Sequence, residues 1–102
     1  MSRAALEKVN SVVFPGARLR GSVTIVVKRF KSENRLRMMV GKLNKLMNFK
    51  DMNWQSLKFP NKDQYLLYVR CMPGKQPYQI LMSEKFVDIS ELPEGKMMAY
   101  AE

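Results

Sequence analysis

Residues 64–84 read QYLLYVRCMPGKQPYQILMSE. The first nine, 64–72, are almost continuously apolar or aromatic, which predicts a central strand buried on both faces. Pro73, Gly74 and Lys75 supply the composition of a tight turn. The apolar run 76–84 then reads as the returning strand of a hairpin, and Pro77, which has no N–H to give, places its start at a sheet edge. Read this way, the segment is the antiparallel part of a sheet.

Working back toward the N-terminus, NWQSLKFP (53–60) is a short strand stopped by Pro60, and PNKD (60–63) is a turn. Before it, Leu36, Met39, Val40, Leu43, Leu46 and Met47 recur at helical spacing and predict an amphipathic helix over 33–48. Ser32 suits its N-cap, and Glu33 suits the positive end of its dipole. Gly41 weakens this helix by about 1 kcal/mol. SVTIVV (22–27) opens a further strand over 22–30. A strand, a helix and a second strand at this spacing imply a right-handed β-α-β unit with a parallel pair.

The outer segments are shorter. Ala4, Ala5, Leu6, Val9 and Val12 predict a helix over 3–11 behind a Ser2 cap, broken by Pro15-Gly16. FVDISEL (86–92) reads as one or two helical turns closed by Pro93, and the tail KMMAYAE (96–102) reads equally as a strand or an extended arm. With no repeat or linker, the expectation is one α/β domain over 1–102. Its architecture is a mixed four-stranded sheet, β-α-β then β-hairpin, with one main helix and short terminal helices.

Charge is the unusual property. The chain carries 18 Lys and Arg against nine Asp and Glu, a net +9. Residues 1–50 hold twelve bases and two acids, whereas residues 51–102 hold six and seven. Such asymmetry argues for a polyanionic partner against one side of the molecule: nucleic acid first, with an anionic membrane surface as the rival. Cations of this kind neutralise phosphates and release counterions. The candidate contacts are Arg18, Arg20, Lys28, Arg29, Lys31, Arg35, Arg37, Lys42, Lys45 and Lys50. Of the aromatic residues, one or two at most are assigned to stacking and the rest to the core.

Catalytic chemistry finds little to work with. There is no histidine, so no imidazole base and no Ser-His or Cys-His pair. FPGARLRG (14–21) lacks the glycine spacing of a phosphate loop. The lone Cys71 permits neither an internal disulfide nor a Cys-x-x-Cys centre, and it reads as a small core hydrophobe. Glu84, Asp88, Glu91 and Glu94 cluster in sequence, but solvated helix turns account for them. The reading therefore names no catalytic residue, metal site, cofactor or small-molecule substrate. No apolar run nears the ~20 residues of a transmembrane helix, and the N-terminus lacks the apolar core of a secretory signal.

Three stretches together carry a resemblance: SVVFPGARLRGSVTIVVKRF (11–30), LMNFKDMNWQSLKF (46–59) and YLLYVRCMPGKQPYQILMSEKFVDI (65–89). Val12-Val13-Phe14 ahead of the first strand and the Phe49-Lys50 to Trp54-Gln55 run entering the second are its best pieces. In order and residue character the chain resembles the thioredoxin-like family of mitochondrial ribosomal and respiratory-complex proteins, most of all its small-subunit ribosomal members. Asn53 departs from a proline the family often has before the tryptophan. The resemblance implies a thioredoxin-like scaffold without redox cysteines, working in the mitochondrial matrix. As a structural constituent of the small ribosomal subunit, it would be held by ribosomal RNA and neighbouring ribosomal proteins. An accessory subunit of a respiratory complex and a free-standing RNA- or DNA-binding protein are the alternatives.

Overall fold

A computed structural model describes residues 3–59 and 64–101. Along the chain these form α1 (Arg3–Val13), β1 (Thr24–Phe30), α2 (Glu33–Leu46), a 3-10 turn (Phe49–Asp51), β2 (Trp54–Phe59), β3 (Gln64–Cys71), α3 (Gln76–Ser83), β4 (Val87–Asp88), a second 3-10 turn (Ile89–Glu91) and α4 (Glu94–Ala99). The Ser2 cap and the 60–63 turn expected from sequence lie outside the described residues.

The four strands order as β2-β3-β1-β4, and every neighbouring pair is antiparallel. This corrects the expected mixed sheet. β1 and β2 do run in the same direction, since both oppose β3, but β3 lies between them and no parallel pair forms. The reason is burial. Leu66, Leu67, Tyr68 and Val69 are all fully buried and so need cover on both faces and both edges. β3 therefore takes the inner place beside the equally buried Ile25, Val26 and Val27, with Val69 opposite Val26. β2, half exposed along its length, is left at the rim. With the helices included, this is a β-α-β-β-α-β order of the split β-α-β kind.

The second correction concerns residues 76–84, which form α3 in place of the returning strand. Pro73-Gly74 does make a tight turn: Lys75 N–H donates to the Met72 carbonyl at 3.2 Å, with Gly74 at φ 85°. Beyond it Pro77 falls in the first helical turn, where no N–H is required. Tyr78, Leu81 and Met82 then share one helix face and pack with Val69 and Cys71. Downstream, 86–92 divides into the short strand β4 and a 3-10 turn, while the ambiguous tail folds as α4.

Strand alternation sends successive side chains to opposite faces, and helices cover both. Ile25, Val27, Leu66 and Tyr68 meet Leu6, Val9 and Val13 of α1 and Met97 of α4. Val26, Leu67 and Val69 meet Leu36 and Leu43 of α2, Leu81 of α3 and Phe86. Leu46, expected on the α2 stripe, is 49% exposed. Ten residues at 100° each carry it roughly 80° around the helix from Leu36, to the stripe's margin.

Candidate nucleic-acid interface

β4 pairs with β1 only through Val26 and Val27. Lys28, Arg29 and Phe30 therefore run on past the end of β4. The chain turns at Lys31 and enters α2, whose first turn is fixed by the Ser32 hydroxyl accepting the Arg35 N–H at 3.2 Å. The helix period then places Arg35, Met38, Met39 and Lys42 on the flank of α2 that faces the strand end. Together these segments wall an open concavity of about 600 Å³ lined by Lys28, Arg29, Phe30, Lys31, Arg35, Met38, Met39 and Lys42.

Five of the ten cations predicted from sequence thus line one place, although strand alternation sends the Arg29 side chain to the opposite face of the sheet from Lys28 and Phe30. The acid that reaches them is Glu84, at the end of α3. Its carboxylate pairs with Lys42 Nζ at 2.9 Å, and its backbone carbonyl accepts from Lys28 Nζ at 2.6 Å. The Arg29 guanidinium lies 5.0 Å from the centre of the Tyr100 ring. Lys31 and Arg35 enter none of the ion pairs formed among the described residues. Between the cations the floor is apolar, made of Phe30 and the two methionines, with Met38 66% exposed.

The other five cations lie elsewhere. Arg18 and Arg20 are exposed in the loop before β1. The Arg18 carbonyl accepts from the Arg70 guanidinium, and Arg70 pairs across the sheet with Ile25, so this loop sits at the opposite end of β1. Arg37 is on the other flank of α2, paired with Glu33 at 2.6 Å. Lys45 is exposed in the last turn of α2 and Lys50 in the 3-10 turn that follows.

Sequence reasoning passed over a second concavity, of about 520 Å³, on that other flank. Trp54, Ser56 and Lys58 line it from β2, Tyr65 from β3, and Glu33 and Arg37 from α2. The signal was present: residues 54, 56 and 58 are spaced two apart on a strand and so share a face.

Cys71 lies away from both concavities in the core. Burial, with a smaller contribution from the nearby Asp88 carboxylate, pushes its thiol from 9.0 up to about 12. The nucleophilic thiolate is therefore scarce at neutral pH. Among the described residues no three His, Cys, Asp or Glu side chains gather as a metal would need, and no helix is long and apolar enough to cross a membrane.

Comparison with protein families, curated proteins and solved structures returns no match to this chain.

Proposed function

We propose that this chain is a non-catalytic RNA-binding protein and a structural constituent of a ribonucleoprotein particle. The observation that carries the reading is the convergence of Lys28, Lys31, Arg35 and Lys42 on one open concavity that Arg29 also lines, with Glu84 the acid that reaches them among the described residues. RNA carries a condensed atmosphere of counterions, and a cluster of lysines and arginines that neutralises its phosphates releases them, with a gain in entropy that favours binding. The apolar floor between the cations suits ribose and base surfaces better than it suits bare solvent.

The resemblance described above points to the small subunit of the mitochondrial ribosome as the particle, with ribosomal RNA on the basic side and ribosomal proteins elsewhere. A thioredoxin-like scaffold would need β1 and β2 side by side. Because β3 separates them, the proposal keeps the ribosomal setting without that scaffold.

Two measurements test it. Purified protein should bind single-stranded RNA with log K falling linearly in log salt, at a slope of about −3 for four to five neutralised phosphates. In extracts of mitochondria it should co-sediment with small ribosomal subunits and be released by salt. Absence of RNA binding at low salt sinks the reading; recovery only with a membrane-extracted respiratory complex removes the ribosomal setting.

A further inference from the structure

We infer that the concavity between α2 and β2 is a second RNA contact, one that holds an unpaired base. This rests on the RNA reading above and assigns residues that reading did not use. Trp54 is stacked on Phe49 with ring centres 5.5 Å apart and planes 20° from parallel. Phe49 is fully buried, so the indole is held against an immobile neighbour while it lines the concavity. Across the hairpin, Lys58 stands opposite Tyr65, and its ammonium lies 5.6 Å from the Tyr65 ring centre. Arg37 approaches from α2. A rigid aromatic platform with cations at its margin is the combination by which proteins hold single strands: the ring takes a base and the cations take the adjoining phosphates.

The occupant follows from this geometry. A duplex keeps its bases stacked inside and offers phosphate and ribose, which would leave Trp54 and Tyr65 without a partner. An acidic peptide would satisfy Lys58 but has no planar group for the indole. The two concavities flank opposite sides of the N-terminal half of α2, and a helix with its side chains is about 10–12 Å across. One strand of a few nucleotides therefore reaches from Lys31 and Arg35, over α2, to Trp54. Glu33 sets the local limit, because its ion pair occupies Arg37.

Trp54 is the sole tryptophan of the chain, so its emission reports on this concavity alone. The experiment titrates the protein with an end-labelled single-stranded RNA of about ten nucleotides, within the usual range of such sites, and follows label anisotropy and Trp54 emission together. The expected result is a rise in anisotropy and quenching of Trp54 at the same midpoint, with inorganic phosphate alone leaving the emission unchanged. Tyr65→Leu should weaken single-strand binding about tenfold and Lys58→Gln about fivefold at 0.1 M salt, with a salt slope lower by about 0.7, whereas Glu33→Gln, which frees Arg37, should tighten it several-fold. Lys58 and Glu33 are both exposed, so these two variants keep the test open if Tyr65→Leu fails to fold. Anisotropy that rises while Trp54 emission stays unchanged overturns this inference and leaves the RNA reading in place. Equal quenching by a duplex of the same length overturns the unpaired-base assignment. No change in anisotropy at low salt overturns both.

Discussion

The Thr24 hydroxyl donates to Asp88 Oδ1 at 2.7 Å, joining the start of β1 to β4 across 64 residues of sequence. The same carboxylate is surrounded by donors. Ser90 gives Oδ1 both its N–H, at 3.0 Å, and its hydroxyl, at 2.7 Å, and Tyr78 of α3 gives Oδ2 its hydroxyl at 2.8 Å. Asp88 is almost wholly buried and enters none of the ion pairs formed among the described residues. Its two oxygens accept four hydrogen bonds in all, the kind of donor set that suits a buried carboxyl group. The network explains why a two-residue strand persists: Asp88 ties β4 to β1 on one side and to α3 on the other.

Breaking it from the two ends should differ in magnitude. Thr24→Val removes one donor and leaves the carboxylate three others, a loss of about 1 kcal/mol. Asp88→Ala strands the buried Thr24 hydroxyl and takes from the half-buried Tyr78 hydroxyl its acceptor, a loss of about 2–3 kcal/mol. Urea unfolding checks both, with an unchanged m-value showing that the folded state keeps its compactness. Equal losses for the two variants would contradict the central place given to Asp88.

Asp88 also shows where sequence reading stops. It reads as one of four acids on solvated turns, because nothing in FVDISEL (86–92) announces that Thr24, far away, will meet it. The elements up to Cys71 are legible because their periodicity is clean: helical on α2, continuous on β3. Residues 80–82, Ile-Leu-Met, are apolar in succession and fit either period, and Pro77 suits an edge strand as well as a helix's first turn. Only the packing of Leu81 against Val69 and Cys71 decides for the helix. Strand adjacency is harder still, since β1 and β3 pair over some forty residues for reasons of burial that no local pattern contains. Of the candidate site, the run Lys28–Lys31 is legible because a charged end on a buried strand has to emerge together. Lys58 is missed because it stands alone among apolar neighbours until the strand's two faces are separated.

Lys85 follows α3 with φ 70°, the left-handed conformation that favours glycine. It ends the helix in a Schellman arrangement: Phe86 N–H donates to the Leu81 carbonyl at 3.2 Å and Lys85 N–H to the Met82 carbonyl at 3.1 Å. A side chain in that conformation is disfavoured by about 1–2 kcal/mol, partly offset by the greater unfolded-state freedom of glycine. Lys85→Gly should therefore raise stability by about 0.5–1 kcal/mol, and thermal unfolding is the check. Lys85→Ala, which keeps the strain, should not stabilise.

The raised thiol of Cys71 makes stability depend on pH in the alkaline range. An unfolded chain loses this proton near 9.0, whereas the folded chain holds it to about 12. Above pH 9 the unfolded state therefore binds fewer protons, and stability falls as pH rises. The contribution is fully present below pH 9 and is lost between 9 and 12. The Tyr68 hydroxyl, raised by its own burial and by Tyr100, adds loss in the same direction. Cys71→Ala should be less stable at pH 7 by about 1 kcal/mol, yet fall less steeply above pH 9, by up to about 1.4 kcal/mol per pH unit. Parallel curves for the two proteins would show that Cys71 does not titrate with unfolding.

Arg18 and Arg20 stand at one end of β1 and Lys31 and Arg35 at the other, and a seven-residue strand spans roughly 20 Å. A short RNA held in the concavity beside Phe30 cannot also reach the loop before Thr24. The salt slope separates the two ends. Each phosphate contact removed lowers the slope by about 0.7 on a single strand, so Lys31→Gln with Arg35→Gln should lower it by about 1.4. Arg18→Gln with Arg20→Gln should leave it unchanged on a short oligonucleotide and reduce it on a long one. All four side chains are exposed, so none of these variants should move the unfolding midpoint. If the Arg18 and Arg20 pair proves as costly on the short RNA, the bound strand follows a different path from the one that passes Phe30 and α2.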